Sequence, residues 1–546
     1  MSKVVFKSYS QRQLRLLPPS FDEMIPVTHP VRVVNQVVDL LNIESLLTDY
    51  KGGGASSFHP RLMLKVLIYA YLNNIYSSRK IARQLEENIH YMWLSGDSRP
   101  DFRTINYFRG KRLAGKFEDI FRQVVELLHE GGFVSLEVQY IDGTKLESAS
   151  NRYTFVWKGS VEKCDQRLRK KVDAVLQQVE TEIRKEDEEE SVTTATPELS
   201  TESFKERVAQ ISRKVKERNG IAKEQQKALE QVVTEALPKL ETYEHHLQQM
   251  GERNSYSKTD PDATFMRMKE DHMRNGQLKP AYNVQISTEN QFITHYGIYQ
   301  RPGDTTTLIP HLESFRKIYG VQSEAIVADA GYGSEQNYEY LLNHHITPFV
   351  KYSYFHLEQK RKCKNNPFLP QNLYYNKEGD YLVCPMGQRM EFKRKNVRTT
   401  DLGYRYIVSI YQAKRCEGCS LRGMCHQGKG NRTIELNHQL NEYKQYVKKL
   451  LNSEEGLYHR SQRPVEPEAV FGQIKNNSLF NRFRLRSTDK VNIEFGLVAL
   501  AHNLKKMAIK GKVNTKIVQN REMSIPIYRP FCFRKQRTLE VGLMAA

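Results

Sequence analysis

The chain has 546 residues, 39% of them apolar, and a formal net charge of +20 at pH 7 from 83 Lys and Arg against 63 Asp and Glu. That length exceeds one ordinary core and calls for about two to four domains. The 30 Tyr and 23 Phe exclude disorder throughout despite a mean hydropathy of -0.64, and the positive excess points to a polyanion, nucleic acid first and an anionic membrane surface second.

Residues 1–135 read as a helical N-terminal domain. Val34, Val37, Val38 and Leu41 set a helix within Pro30–Tyr50, and Pro60 opens a second through Met63, Leu67, Ile68 and Tyr71. Ser77 or Ser78 can cap a third, carrying Ile81, Ala82 and Leu85, and a fourth runs from Thr104 to Glu130, stopping at Gly131 and Gly132. Short helices joined by tight turns build helix-turn-helix DNA readers, with a plain bundle as the alternative. Arg79, Lys80, Arg83, Arg103, Arg109, Lys111 and Arg112 favour a DNA-facing role.

Residues 136–159 change character. Leu136, Val138 and Tyr140 alternate, and the strand they predict ends at Asp142 and a glycine turn. Residues 160–255 interrupt this unit with a Lys-, Arg-, Glu- and Gln-rich segment containing EDEEE at 186–190, which predicts a coiled-coil-like helical hairpin with a flexible tip. Over 256–353 the strand pattern returns. Tyr282–Ile286 and Phe292–Tyr299 predict a hairpin, Thr307–Tyr319 a helix, then a buried strand ending at Asp329, a helix over Glu335–His344 and a strand over Thr347–Lys351. Such alternation indicates a mixed α/β core. Residues 354–436 interrupt again, with Tyr and Val alternating at 373–383 and 404–411 as small β-hairpins; 437–512 are helical and 513–546 form a basic tail.

Met1–Ser20 holds no apolar run of signal-peptide length, and no stretch is apolar enough to span a bilayer, so the expectation is a soluble intracellular protein. Seven cysteines without a secreted-scaffold spacing argue against a disulfide framework.

Phosphodiester cleavage needs a nucleophile, charge neutralisation at phosphorus and leaving-group stabilisation, which two divalent cations about 4 Å apart supply. Mg²⁺ takes oxygen ligands, so such a site needs about three acids converging from different elements. Asp142 and Asp329 each end an apolar strand just before a glycine, where α/β sheets place functional side chains; either alone also reads as a turn or cap aspartate. The third acid lies in RPVEPEAVFGQIKNN, residues 463–477. Pro467 can open a helix whose one face carries Glu468, Phe471, Gly472 and Lys475, an acid for metal beside a cation for phosphate. Glu466 points elsewhere, so Glu468 is preferred and Glu466 is its rival. Asp260 and Asp262 in TDPDA read as braces, and Asp304 as a turn acid.

The stretches SSRKIARQLEENIHYMWLSGDSRPDFRTINYFR, YIDGTKLES, TDPDATFM with PAYNVQ, ADAGYGSEQN, and VEPEAVFGQIKNN followed by FNRFRLR and LVALAHNLKK, spanning residues 77–506, resemble in type and order the DDE transposases of bacterial insertion sequences. The resemblance implies an RNase H-like core and two Mg²⁺ (or Mn²⁺) ions held by Asp142, Asp329 and Glu468. In related transposases the glutamate helix also bears a Tyr, an Arg and a Lys that hold DNA phosphates. Lys475 stands at the usual distance, whereas Tyr458, Arg460 and Arg463 lie near but off the usual spacing; Lys145, just past Asp142, is a further candidate DNA contact.

Cys384, Cys416, Cys419 and Cys425, in CPMG and CEGCSLRGMC, suit a structural Zn²⁺ that closes a small β-rich insertion, with His426 able to replace Cys425 and free buried thiols as the alternative. Cys164, Cys363 and Cys532 look incidental.

The expected activity is cleavage of transposon ends and joining of the freed 3′-OH ends to target DNA, by a homodimer on double-stranded DNA, off the membrane, in the cytoplasm at the bacterial nucleoid. The N-terminal helices and the basic insertion would hold the transposon end. A catalytically silent DNA-binding remnant and a metal-dependent nuclease that cuts without joining are the rival readings.

Overall fold

A mixed sheet of six strands organises the chain, whose computed structural model describes residues 20–50, 57–187, 200–216, 223–268 and 276–510. Val138–Glu147 lies inside the sheet. It pairs antiparallel with Leu278–Glu289 on one side and parallel with Ala325–Ala328 on the other, and Ala325–Ala328 pairs parallel with Thr347–Val350. Leu278–Glu289 also pairs with Thr264–Arg267 and, through the positive-φ residues Asn290 and Gln291, with Phe292–Tyr299; two such residues are what a tight hairpin turn demands. Ala325–Ala328 is buried at every position, which is why it reads as an unbroken apolar run.

The first strand differs from its expected form. It does not stop at Asp142 but runs on to Glu147, opposite Ala281–Thr288. Gly143 lies inside the strand, where a Cβ would overlap the Gln285 side chain and come 2.8 Å from Asp304 Oδ1. The glycine serves a close approach, not a turn.

The N-terminal helices Pro30–Leu40, Pro60–Leu72 and Phe117–Glu130 pack in one apolar cluster with Thr488–Lys510 and with Phe292–Tyr299 of the sheet. The last helix is buried nearly all round, through Phe495, Leu497, Leu500 and Leu504, because it lies between these helices and the sheet. Its Asn503 accepts from the Ile293 N–H and donates to the Ile293 carbonyl, both at 2.8 Å, satisfying the backbone of Ile293 on the outer strand. Two expected helices are broken. Leu41 turns extended after Pro30–Leu40. The 104–130 helix divides into Phe102–Tyr107, a π turn over Phe108–Arg112 and Phe117–Glu130, with Gly115 at φ 70° in the break. Arg109, grouped above with DNA-facing cations, is buried and donates to the Tyr71 hydroxyl (2.9 Å) and the Tyr76 carbonyl (2.8 Å), so it braces the helices instead.

The first insertion is more than a hairpin. Lys158–Asp187, Thr201–Lys216, Lys223–Gln231 and Leu237–Met250 bury their own cluster, including Val172, Leu176, Phe204, Val208 and Leu240. A two-stranded neck, Phe155–Trp157 against Ser255–Ser257, joins it to the sheet. The second insertion is a five-stranded antiparallel sheet over Leu382, Met390, Tyr411 and Ile434. Most of the EDEEE tip, Cys532 and the 513–546 tail lie outside the described residues. Among the described residues no helix is long and apolar enough to cross a membrane.

Candidate catalytic site

Strand register brings the two aspartates together. Ile141 lies opposite Ala328 on the neighbouring parallel strand, so Asp142 and Asp329, the next residue of each, emerge side by side. Asp142 accepts from the Gly143 N–H at 2.9 Å, and Asp329 caps the short helix Ala330–Tyr332 through the Ala330 N–H at 2.6 Å. Behind them Gly333 passes so close to the Lys351 carbonyl and the Tyr352 Cα that a side chain there would collide with backbone.

The third acid arrives on a helical run from Glu454 to Asn477: an α-helix to Gln462, a π turn over Pro464–Glu468, an α turn over Ala469–Gly472 and a second π turn over Gln473–Asn477. Pro467 therefore does not open a helix; it sits inside the first π turn. A π turn closes five residues on, so Arg463 lies one turn from Glu468. Its guanidinium bridges all three acids: Nη1 to Glu468 Oε1 at 2.5 Å, Nη2 to Asp142 Oδ1 at 3.3 Å and Nη2 to Asp329 Oδ2 at 3.4 Å. Glu466 turns the other way, is buried, and accepts from the Gln291 N–H at 2.8 Å. The site geometry thus groups Glu468, not Glu466, with the aspartates.

Glu468 is about half exposed while Phe471 and Lys475 are buried, so the acid and the lysine do not open together to solvent, and the π turn over Gln473–Asn477 shifts Lys475 from the helical spacing expected of it. Arg460 stacks 5.1 Å over Phe355 and donates to the Leu451 carbonyl at 3.3 Å. Tyr458 is exposed beside His459, and Lys145 donates to the Arg267 carbonyl at 3.2 Å. Neither is brought onto the carboxylates by these contacts.

Burial pushes Asp142 up to about 6, against the opposing pull of Arg463. Lys351 is held below the ordinary lysine range by burial and then by Arg463. It follows Val350, the register partner of Ala328, and so lies beside Asp329. Sequence reasoning placed its strand but missed its role; the available signal was its position at the carboxyl end of the strand parallel to that of Asp329.

Asp260 braces the fold as expected, accepting from Ser148 Oγ (2.5 Å), the Tyr282 hydroxyl (3.0 Å) and the Ser487 N–H (3.1 Å), while Asp262 accepts from the Thr488 N–H at 2.9 Å. Asp304 does more than end a turn. It accepts from Asn283 and Gln285, each at 2.9 Å, and Gln285 in turn accepts from Tyr332, forming a polar floor beneath Gly143.

The donor set fits a hard divalent cation: three carboxylates aimed at one buried positive charge. With Arg463 between them the acids do not close on a point, and among the described residues no three of His, Cys, Asp or Glu are grouped as a metal would need. The cysteines stand in the second insertion, Cys384 and Cys416 against its apolar cluster. The Arg432 N–H reaches Cys416 Sγ at 3.3 Å and its guanidinium reaches Cys425 Sγ at 2.9 Å.

A family described as Transposase DDE domain matches residues 383–508, which carry Arg463, Glu468 and the last helix. A second, Transposase domain (DUF772), matches residues 19–111, the N-terminal helices. Asp142 and Asp329 lie outside both spans. No curated protein matches the chain.

Proposed function

We propose that this chain, which its two family matches support as a DDE-type insertion-sequence transposase, cleaves transposon ends and joins the freed 3′-OH ends to target DNA through Asp142, Asp329 and Glu468. The observation that carries this reading is the single guanidinium of Arg463 within 3.4 Å of all three carboxylates. Acids from two adjacent strands and a helix face one cation, although 186 positions separate Asp142 from Asp329 and a further 138 separate Asp329 from Glu468.

The three carboxylates would hold two Mg²⁺ or Mn²⁺ ions, which when bound supply charge neutralisation at phosphorus, activation of the attacking oxygen and stabilisation of the leaving oxygen. The chain's own groups do the rest. The adjoining strands fix the spacing of the two aspartates, and Gln285 and Asp304, tied to Tyr332 through Gln285, close the space beside Gly143. Lys351, beside Asp329 and within electrostatic reach of Arg463 and Arg460, places positive charge where a DNA phosphate would lie. Water attacks first, freeing a 3′-OH; that hydroxyl then attacks a target phosphodiester, so one bond breaks as one forms. A homodimer would cut both ends, and Cys384, Cys416, Cys419 and Cys425 of the second insertion belong to the same proposal as structural zinc ligands.

The test is incubation of purified protein with Mg²⁺, DNA carrying the element's flanking ends and a target plasmid. Joined products are expected. Cut ends that never join would favour the nuclease reading, and ends bound but neither cut nor joined would favour the silent remnant.

The second insertion offers a DNA-tracking surface. Arg389–Thr399 and Arg405–Ala413 form a long hairpin whose outer part, Arg394–Thr399 with Arg405–Val408, extends past the strands flanking its base. Lys393, Arg394, Lys395, Arg398 and Arg405 are exposed along it. The Tyr404 hydroxyl donates to Glu339 at 2.7 Å, tying the tip to the helix Glu335–Asn343 that follows Asp329. A two-stranded ribbon fits a major groove. Replacing Lys393, Arg394 and Lys395 together by Gln should weaken end binding and flatten the dependence of log K on log salt by about 0.9 for each phosphate left without its cation. An unchanged slope would remove the ribbon from the interface.

A further inference from the structure

We propose that Arg463 is a shared counter-ion that couples metal loading to DNA binding: without metal it neutralises the three carboxylates, and when divalent cations take those oxygens it is displaced toward a DNA phosphate. This rests on the transposase reading above and adds to it an order of events.

Four observations carry the inference. The guanidinium bridges Asp142, Asp329 and Glu468 at 3.3, 3.4 and 2.5 Å, filling the space between the acids. Its side chain is 7% exposed while those of Asp329 and Glu468 are 50% and 48% exposed, so the acids open to solvent on one side and the arginine closes them from beneath. Its Nε is buried with no hydrogen-bond partner among the described residues, so the side chain is held by the carboxylates and not locked by a second set of acceptors. Finally, Lys351 follows the register partner of Ala328 and interacts electrostatically with Asp329 and Glu468, so a phosphate would find a cation already placed beside them.

The physical argument is one of exclusion. Arginine stays protonated at any working pH, so it cannot make room by losing charge as lysine can. A guanidinium and a divalent cation on the same carboxylate oxygens repel each other strongly in a buried site. Metal can therefore load only as Arg463 moves out. Its backbone is the entry to the π turn that carries Pro464 and Pro467, which restrain the main chain, so the motion falls on the side-chain torsions. Once released, the same guanidinium can bind phosphate bidentately. Displacement by metal and capture by DNA then favour each other, and by linkage the effect is reciprocal.

The first experiment titrates Mn²⁺ into DNA-free protein by calorimetry, comparing wild type with Arg463→Gln and Arg463→Lys, each shown to be folded by circular dichroism. Removing the competing cation should tighten Mn²⁺ binding at least about fivefold in Arg463→Gln, the lower end of ordinary coupling effects, with a smaller change in Arg463→Lys. A second variant leaves Arg463 in place. Glu468→Gln removes its shortest contact, and in EDTA this protein should bind end DNA more tightly than wild type, a gain that disappears in the Arg463→Gln/Glu468→Gln double variant. Unchanged or weaker Mn²⁺ binding by Arg463→Gln, or an equal DNA gain in the double variant, would overturn the coupling and leave the transposase reading standing. Wild-type protein that neither binds Mn²⁺ nor cuts ends would overturn the reading itself.

Discussion

Asp142→Asn, Asp329→Asn and Glu468→Gln should each lower end cleavage by on the order of a thousandfold or more, while Glu466→Gln should keep it within about tenfold of wild type. Each amide keeps shape and removes the negative charge that would hold a cation. The contrast between the two glutamates is the informative part. They are two residues apart, yet Glu466 accepts from the Gln291 N–H at 2.8 Å on the sheet side, and Glu468 meets Arg463 at 2.5 Å on the aspartate side. A glutamine at 466 can still accept that backbone bond, so little should change. Because the three acids act as one unit, the Asp142→Asn/Glu468→Gln double variant should lose no more than the worse single variant. Initial cleavage rates on labelled end DNA, with thermal melts to show that each variant is folded, decide it. Activity in Glu468→Gln alongside loss in Glu466→Gln would exchange the two acids and sink the proposed geometry.

The strand before Asp329 was legible because Ala325–Ala328 is buried at every position and leaves an apolar run that the acid ends, whereas the strand of Asp142 was found by its alternation and its end was misplaced, since it runs on to Glu147. Their pairing was not legible, since register between Ile141 and Ala328 depends on the whole sheet. Lys351 was missed for the same reason: nothing local marks it, and only the strand beside it gives it a site. The glutamate segment was harder. Arg463 stood off the spacing of related transposases, and counting at 3.6 residues per turn put Lys475 on the face of Glu468, but π turns over Pro464–Glu468 and Gln473–Asn477 change the count on either side of the acid. Arg109 shows a different limit. Its charge invited a DNA role, whereas its burial against Tyr71 and Tyr76 belongs to tertiary packing that no local pattern announces. In the first insertion, helix-forming composition predicted helices correctly and gave no hint that they would fold into a bundle around Phe204.

Acid should weaken the metal-free protein above the ordinary carboxylate range, through two histidines packed against each other at the sheet; Asp142, raised to about 6, takes up its proton in the folded state and offsets part of that loss. His295 and His311 are buried with ring centroids 4.6 Å apart. His311 Nε2 meets Ser287 Oγ at 2.8 Å, Ser287 donates to Gln139 at 2.7 Å, and His295 Nε2 and His311 Nδ1 have no hydrogen-bond partner among the described residues. Burial pushes His295 down to about 3 from 6.5, and holds His311 well below its ordinary value in the same way, with His295 adding to the effect. A base whose folded pKa is depressed is neutral in the folded protein and protonated in the unfolded chain over the interval between the two values. Its stability contribution is therefore present above 6.5 and is lost as pH falls toward the folded value. At pH 5 the unfolded chain has gained roughly 2 kcal/mol from protonating the His295 position alone, and His311 adds in the same direction. The consequence reaches the site, because Ser287 lies opposite Ile141, one residue before Asp142. Urea midpoints in EDTA at pH 7 and pH 5 measure the effect. The wild type should lose stability across that interval, by the two histidine contributions less the opposing one of Asp142, and His295→Phe, which removes one buried base and its unpaired nitrogen, should flatten the fall by roughly 2 kcal/mol. A wild-type midpoint that stays level from pH 7 to pH 5, or a His295→Phe protein that falls as steeply, would mean that these imidazoles find a way to take up protons without unfolding.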